Sequence, residues 1–82
     1  MTLYIACESD SGIRVVRLEG WLDDETVAEL DRVVSGESGP LRLELSELRS
    51  ADKAGLDALR ALRAAGAALV GASPYIRLLL GS

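Results

Sequence analysis

A chain of 82 residues makes one small domain, residues 1–82, with a single core, because at this length only about 60–65% of the unfolded surface can be buried. Thirteen acidic against nine basic residues leave a net charge of −4, which argues against a nucleic-acid partner, and only Tyr4, Trp21 and Tyr75 could stack on bases. The absence of histidine excludes Cys/His metal sites and every Ser-His or Cys-His nucleophile, and no apolar run reaches the roughly 18–20 residues of a membrane span.

The N-terminal MTLYIACESD lacks a basic start followed by an apolar stretch, so it is no secretory signal, and a cytoplasmic protein without membrane insertion is expected. Residues 2–8 and 13–19 are β-rich runs separated by Ser9, Asp10, Ser11 and Gly12, four turn formers that predict an antiparallel hairpin. Cys7 falls on the same side as Leu3 and Ile5 and is expected as a small buried hydrophobe; as the lone cysteine it has no internal disulfide partner. After the Gly20 turn, Trp21 is expected to anchor the first helix on the core, in preference to standing exposed as an interface anchor. Asp23, Asp24 and Glu25 place three acids at a helix start, where the helix dipole favours them. Val27, Leu30, Val33 and Val34 mark that helix's buried face, and the acids from Asp23 to Asp31 read as its wet face. The helix should stop at Ser35 and Gly36, with a loop through Ser38, Gly39 and Pro40.

The most informative stretch is residues 41–56, LRLELSELRSADKAGL. Leu41, Leu43 and Leu45 alternate with Arg42, Glu44 and Ser46 as a strand with one apolar face, which should break at Ser50, Ala51 and Asp52. Asp52 stands where a helix N-cap belongs, and Leu56, Leu59 and Leu62 supply the apolar stripe of the helix that follows. That helix should end near Ala65, with Gly66 at the left-handed position beyond it. Residues 68–70 read as a short buried strand, and Ser73 and Pro74 as the N-cap and first residue of a last helix running to about Leu80. Glu44 and Glu47 read as a solvated pair across a strand end. Gly55, Gly66 and Gly71 form no phosphate-binding loop and read as turn, cap and packing residues.

The order β-β-α-β-α-β-α predicts an α/β domain of two layers: a mixed, mostly parallel four-stranded sheet with right-handed crossovers and its crossover helices on one face. The open face would carry Tyr4, Ala6, Val15, Arg17, Arg42 and Glu44. Its charges suit water, while Tyr4 and Val15 suit self-association into a homodimer as well as they suit scattered surface apolars. Residues 50–53 and 71–75 both follow parallel strands at their C-terminal ends, the edge where open α/β sheets bind ligands or partners. Helix starts at Asp52 and Ser73 would direct N–H groups toward an anion or carboxylate there.

The pattern resembles the STAS domain shared by bacterial anti-sigma-factor antagonists and the cytoplasmic tails of sulfate transporters. Typical members carry Asp-Leu-Ser at a strand end and Asp-Ser-Ser-Gly-Leu opening a helix; this chain has Glu44, Leu45, Ser46 and then Asp52, Lys53, Ala54, Gly55, Leu56. Residues 18–23, LEGWLD, resemble the turn before the first helix, and residues 66–74, GAALVGASP, the last strand and its Ser-Pro turn. The resemblance implies a non-catalytic interaction and signalling module without a cofactor. Its partner-binding surface is expected at Ser50, Asp52, Lys53 and Ser73, and its partner as an anti-sigma-type serine kinase, a signalling assembly or a transporter ATPase. In the phosphorylatable members the first Ser of Asp-Ser-Ser-Gly receives the phosphate; here that position is Lys53 and the next is Ala54, so no switch is expected at this site. Phosphorylation would add about −1.5 to −2 charges, where Lys53 holds a fixed positive one. Two alternatives remain open: a small STAS-type accessory subunit of an ABC-type lipid transporter, and a small-ligand-binding domain.

Overall fold

The computed structural model describes residues 2–35 and 39–81. Four strands, β1 (Leu3–Asp10), β2 (Ile13–Leu22), β3 (Leu41–Ala51) and β4 (Ala68–Val70), lie in the sheet in sequence order. β1 pairs with β2 antiparallel, and the β2–β3 and β3–β4 pairs are parallel. The helices α1 (Val27–Val34), α2 (Lys53–Ala64) and α3 (Pro74–Leu80) form the second layer, with α1 against α2 and α2 against α3. Between the layers lies an aliphatic core: Leu3, Val16, Leu18, Leu43 and Leu45 from the sheet meet Leu30, Leu59, Ile76 and Leu80 from the helices. No helix among the described residues is long and apolar enough to cross a membrane.

The uncovered sheet face carries the residues its alternation predicts. Arg17 pairs across the strands with Ala6 and Glu44, and Val15 with Glu8 and Arg42. Ion pairs Arg17–Glu8 at 3.7 Å and Arg42–Asp10 at 3.9 Å make this surface a charge ladder suited to water. Tyr4 is 66% exposed on it and Val15 half-buried.

Several local expectations are corrected. The hairpin turn takes only Ser11 and Gly12, whose φ values of 53° and 84° match the two-residue turn that follows the twist of a hairpin, so Ser9 and Asp10 stay in β1. Cys7 is exposed, although it follows Leu3 and Ile5 on the helix side. β1 is an edge strand whose burial falls away along its length: Leu3 is buried, Ile5 only half-buried, and the rest from Cys7 to Asp10 exposed. β4 is the other edge and half-buried at most, because β3 is its sole neighbour in the sheet. Trp21 is 37% exposed and does not serve as a core anchor; Leu22 next to it takes the fully buried position.

α1 begins at Val27 with Thr26 in the cap position, and Asp23, Asp24 and Glu25 form the turn before it. Asp23 holds that turn by accepting hydrogen bonds from the amides of Glu25 and Thr26, each 3.0 Å. α1 ends at Val34 with Ser35 as its C-cap; Gly36 and Ser38 of the expected loop lie outside the described residues. Arg14 at the start of β2 donates to the Val34 carbonyl at 2.7 Å, satisfying one of the open acceptors at this helix end.

β3 does not break at Ser50; it continues to Ala51, and Glu44 and Glu47 both lie within it. While β2 advances from Arg17 to Glu19, β3 advances from Glu44 to Glu47, and while β2 moves from Gly20 to Trp21, β3 moves from Leu48 to Ser50. Each step inserts one extra β3 residue, a bulge that resets the alternation. The buried series therefore runs Leu43, Leu45, Leu48, Ala51 in place of a strict period of two.

Candidate functional site

The turn from β3 into α2 is built around Asp52. Its extended backbone and its Oδ1, which accepts from the Gly55 amide at 2.9 Å, make it the N-cap of α2. Its Oδ2 accepts from the Asp24 amide at 3.1 Å, and its own N–H donates to the Leu22 carbonyl at 3.1 Å. One carboxylate thus joins the β3–α2 turn to the β2–α1 turn. Gly55 permits the close approach: a Cβ there would stand 2.3 Å from the Leu22 carbonyl oxygen and 2.9 Å from its carbon.

Lys53, the first residue of α2, points away from this network. Its side chain is 89% exposed, and its Nζ reaches Asp57 Oδ2 one turn along at 3.0 Å. Asp57 also meets Arg60 at 3.3 Å. The hydrogen bond from Lys53, then its charge, and more weakly Arg60 hold the Asp57 carboxyl below the usual carboxylate range. Arg60 continues the chain by donating to the Leu79 and Leu80 carbonyls at 2.9 and 3.3 Å, so it pins the end of α3 to α2.

Ser50 is half-buried and pairs with Trp21 in the sheet register. Ser73 caps α3, its hydroxyl accepting from the Ile76 amide at 3.2 Å. α2 follows β3 and α3 follows β4, and the two strands end at different levels of their shared register. β4 ends with Val70 opposite Glu44, and a Cβ on Gly71 would stand beside Glu44 and Ser46, whereas β3 continues through residues 45–51 before Asp52. Ser50, Asp52 and Lys53 follow one another at the end of β3, and what the fold sets against Asp52 by hydrogen bond is the β2–α1 turn.

Sequence reasoning missed the partner role of that turn and the residue at its centre, Thr26, which is buried. Its one hydroxyl proton is shared between the Trp21 carbonyl and Asp23 Oδ1, each 3.1 Å away, and its oxygen accepts from the Asp23 amide at 2.9 Å. Burial raises the Asp23 pKa, but hydrogen bonds from the Thr26 amide and hydroxyl and the Glu25 amide outweigh it and leave that pKa below its ordinary value. The available signal was Asp23 three residues before Thr26, the spacing at which a carboxylate reaches a first-turn N–H. Among the described residues no group of three Cys, Asp or Glu side chains is placed to hold a metal ion.

No protein-family model and no curated protein matches the chain. Solved structures do. The chain superposes on "Structure of the Anti-Sigma Factor Antagonist SpoIIAA in its Unphosphorylated Form" with a TM-score of 0.66 and 22% identity, covering 93% of this chain and 80% of that one. An antisigma-factor antagonist STAS domain from Rhodobacter sphaeroides gives 0.66 at 19% identity, over 98% of this chain and 91% of that one. A protein of the DUF3478 family with a SpoIIAA-like fold, from Shewanella loihica PV-4, gives 0.55 at 13% identity over 94% and 72%. The fold is that of SpoIIAA and the STAS domains.

Proposed function

We propose that this chain is a non-catalytic protein-interaction module of the anti-sigma-factor-antagonist type, acting in the cytoplasm, whose partner surface is centred on the β3–α2 turn and is not switched by phosphorylation there. The observation that carries the reading is the division of labour in that turn. Asp52 and Gly55 are consumed by internal contacts, while Lys53 stands outward at the first position of α2 with only a solvent-exposed helical neighbour, Asp57, to pair with. An exposed lysine in an i,i+4 pair contributes little to stability, about 0.3–0.5 kcal/mol, so its charge is free to serve recognition. A partner carboxylate can replace Asp57 at little cost, and Ser50, which pairs with Trp21 in the register, stands three residues before Lys53 in the chain. The likeness to two anti-sigma-factor antagonists supports a protein partner such as a serine kinase of anti-sigma type.

The test is a paired pull-down from the native host with the wild type and Lys53→Glu, followed by affinity measurement on the captured protein. Loss of a kinase with Lys53→Glu at unchanged melting temperature supports the reading. Capture of a transporter ATPase in its place would assign the module to transport. Equal affinity of the two baits would remove Lys53 from the site.

A further inference from the structure

A second site lies away from the β3–α2 turn. Leu69 of β4, Gly71 and Ala72 of the loop after it, Leu80 of α3, and two arginines, Arg63 of α2 and Arg77 of α3, enclose an open cleft of about 460 Å³. Leu69, Ala72 and Leu80 line it with apolar groups beside the polar surface of the arginines, and its two charges share one sign.

Most other basic side chains are already engaged. Arg14 donates to Val34, Arg17 pairs with Glu8, Arg42 with Asp10, Lys53 with Asp57, and Arg60 with Asp57 and the last carbonyls of α3. Arg63 and Arg77 make no hydrogen bond or ion pair among the described residues. A guanidinium in the last turn of a helix is commonly accounted for by the negative end of the helix dipole. For Arg77 that role is already filled, because Arg60 and the Gly81 amide take the carbonyls at the end of α3. The same Arg60 contacts lock α3 against α2, so the two cleft walls are held in place before anything binds. Guanidinium forks beside apolar side chains, carried on helices held in place, suit an oxyanion carried on an apolar body.

The geometry points to a binding site at this cleft for a small amphipathic oxyanion, with Arg63 and Arg77 holding the phosphate or carboxylate and Leu69, Ala72 and Leu80 receiving the apolar part. The site is independent of the proposed interaction surface, and either can fail without the other.

The probe is phenyl phosphate, titrated into the full chain while amide resonances are followed. Phenol supplies the same body without charge, inorganic phosphate the charge without the body, and phenylacetate separates carboxylate from phosphate. Saturable shifts at Leu69, Gly71 and Ala72 are expected, with binding weakened about tenfold in Arg63→Gln and in Arg77→Gln, and unchanged in Arg49→Gln, an exposed arginine on β3. Arg63→Lys and Arg77→Lys keep the charge but lose the fork and should fall between. Shifts absent from those residues, binding by phenol as tight as by phenyl phosphate, or equal weakening by Arg49→Gln would overturn the proposal.

Discussion

Replacing Gly55 by alanine should destabilise the protein, against the ordinary direction for a helix interior. Alanine is favoured over glycine in a helix by about 1 kcal/mol. Here the new methyl would stand 2.3 Å from the Leu22 carbonyl oxygen, 2.9 Å from its carbon and 3.0 Å from the Leu22 Cγ. To restore van der Waals distance the start of α2 must move about 1 Å away from the end of β2. The Asp52 amide bond to Leu22 and the Asp52 bridge to Asp24 oppose that movement. Overpacking of this kind costs about 1–3 kcal/mol, and loss of the strained hydrogen bond about 1 more. After the propensity gain a net loss of about 1–3 kcal/mol remains, which in a domain of this size lowers the melting temperature by about 4–8 °C per kcal/mol. Thermal and urea denaturation of Gly55→Ala beside Ala64→Gly, an exposed α2 position where propensity alone acts, separates the two effects. A Gly55→Ala variant as stable as the wild type, or more so, would refute the idea that close approach to Leu22 holds this turn.

Asp52→Ala should lose about 1–2 kcal/mol because the cap of α2 and the tie to the β2–α1 turn disappear together, while Asp52→Asn, which keeps one acceptor oxygen for the cap but turns a donor NH2 toward the Asp24 amide, should recover only part of it in urea denaturation. Exposed on an edge strand, Cys7 should react with a thiol reagent in the native protein at a rate close to that in denaturant; protection of many fold would place it back in the core. The depressed pKa of Asp57 means that the Lys53 pair contributes to stability above the ordinary carboxylate pKa and is lost as pH falls through the depressed folded value. In Lys53→Glu, NMR titration of the Asp57 carboxyl should show its pKa raised; an unchanged midpoint would mean the pair is not formed in solution.

The parts of the fold legible in the sequence are those governed by short-range chemistry. Ser73 with Pro74, Asp52 before Lys53, and Gly66 past the α2 C-cap each mark a helix boundary through a local hydrogen bond or backbone preference, and the structure has each boundary there. What escaped depends on neighbours distant in sequence. The β3 bulges exist only in register with β2, so Ser50 and Ala51 read as the break of a strand when they are its continuation. Cys7 shares the inward parity of Leu3, but parity says nothing of how far the helix layer reaches along an edge strand. Trp21, after the Gly20 turn, reads as an anchor of the first helix; its partner is Ser50 near the end of the sheet, and Leu22 already fills the core there. Asp52 was legible as a cap, whereas its second oxygen, on the Asp24 amide 28 residues away, was not.

That second bond bears on the meaning of Lys53. Within Asp52-Lys53-Ala54-Gly55-Leu56, the positions that fasten the turn, Asp52 and Gly55, match the STAS pattern, and the departures, Lys53 and Ala54, fall on positions that do not fasten it. On the proposed reading, a lysine in place of the serine of the STAS pattern leaves the contacts of Asp52 and Gly55 as they are and changes the charge offered outward. A serine there alternates between neutral and about −2; the lysine is fixed at +1, a difference of roughly three charges from the phosphorylated state. Lys53→Ser tests whether that charge is the message. If the lysine imitates the unmodified state, Lys53→Ser should bind the same partner as the wild type and Lys53→Glu should not. If the positive charge itself is recognised, both substitutions should weaken binding, and only Lys53→Arg should retain it.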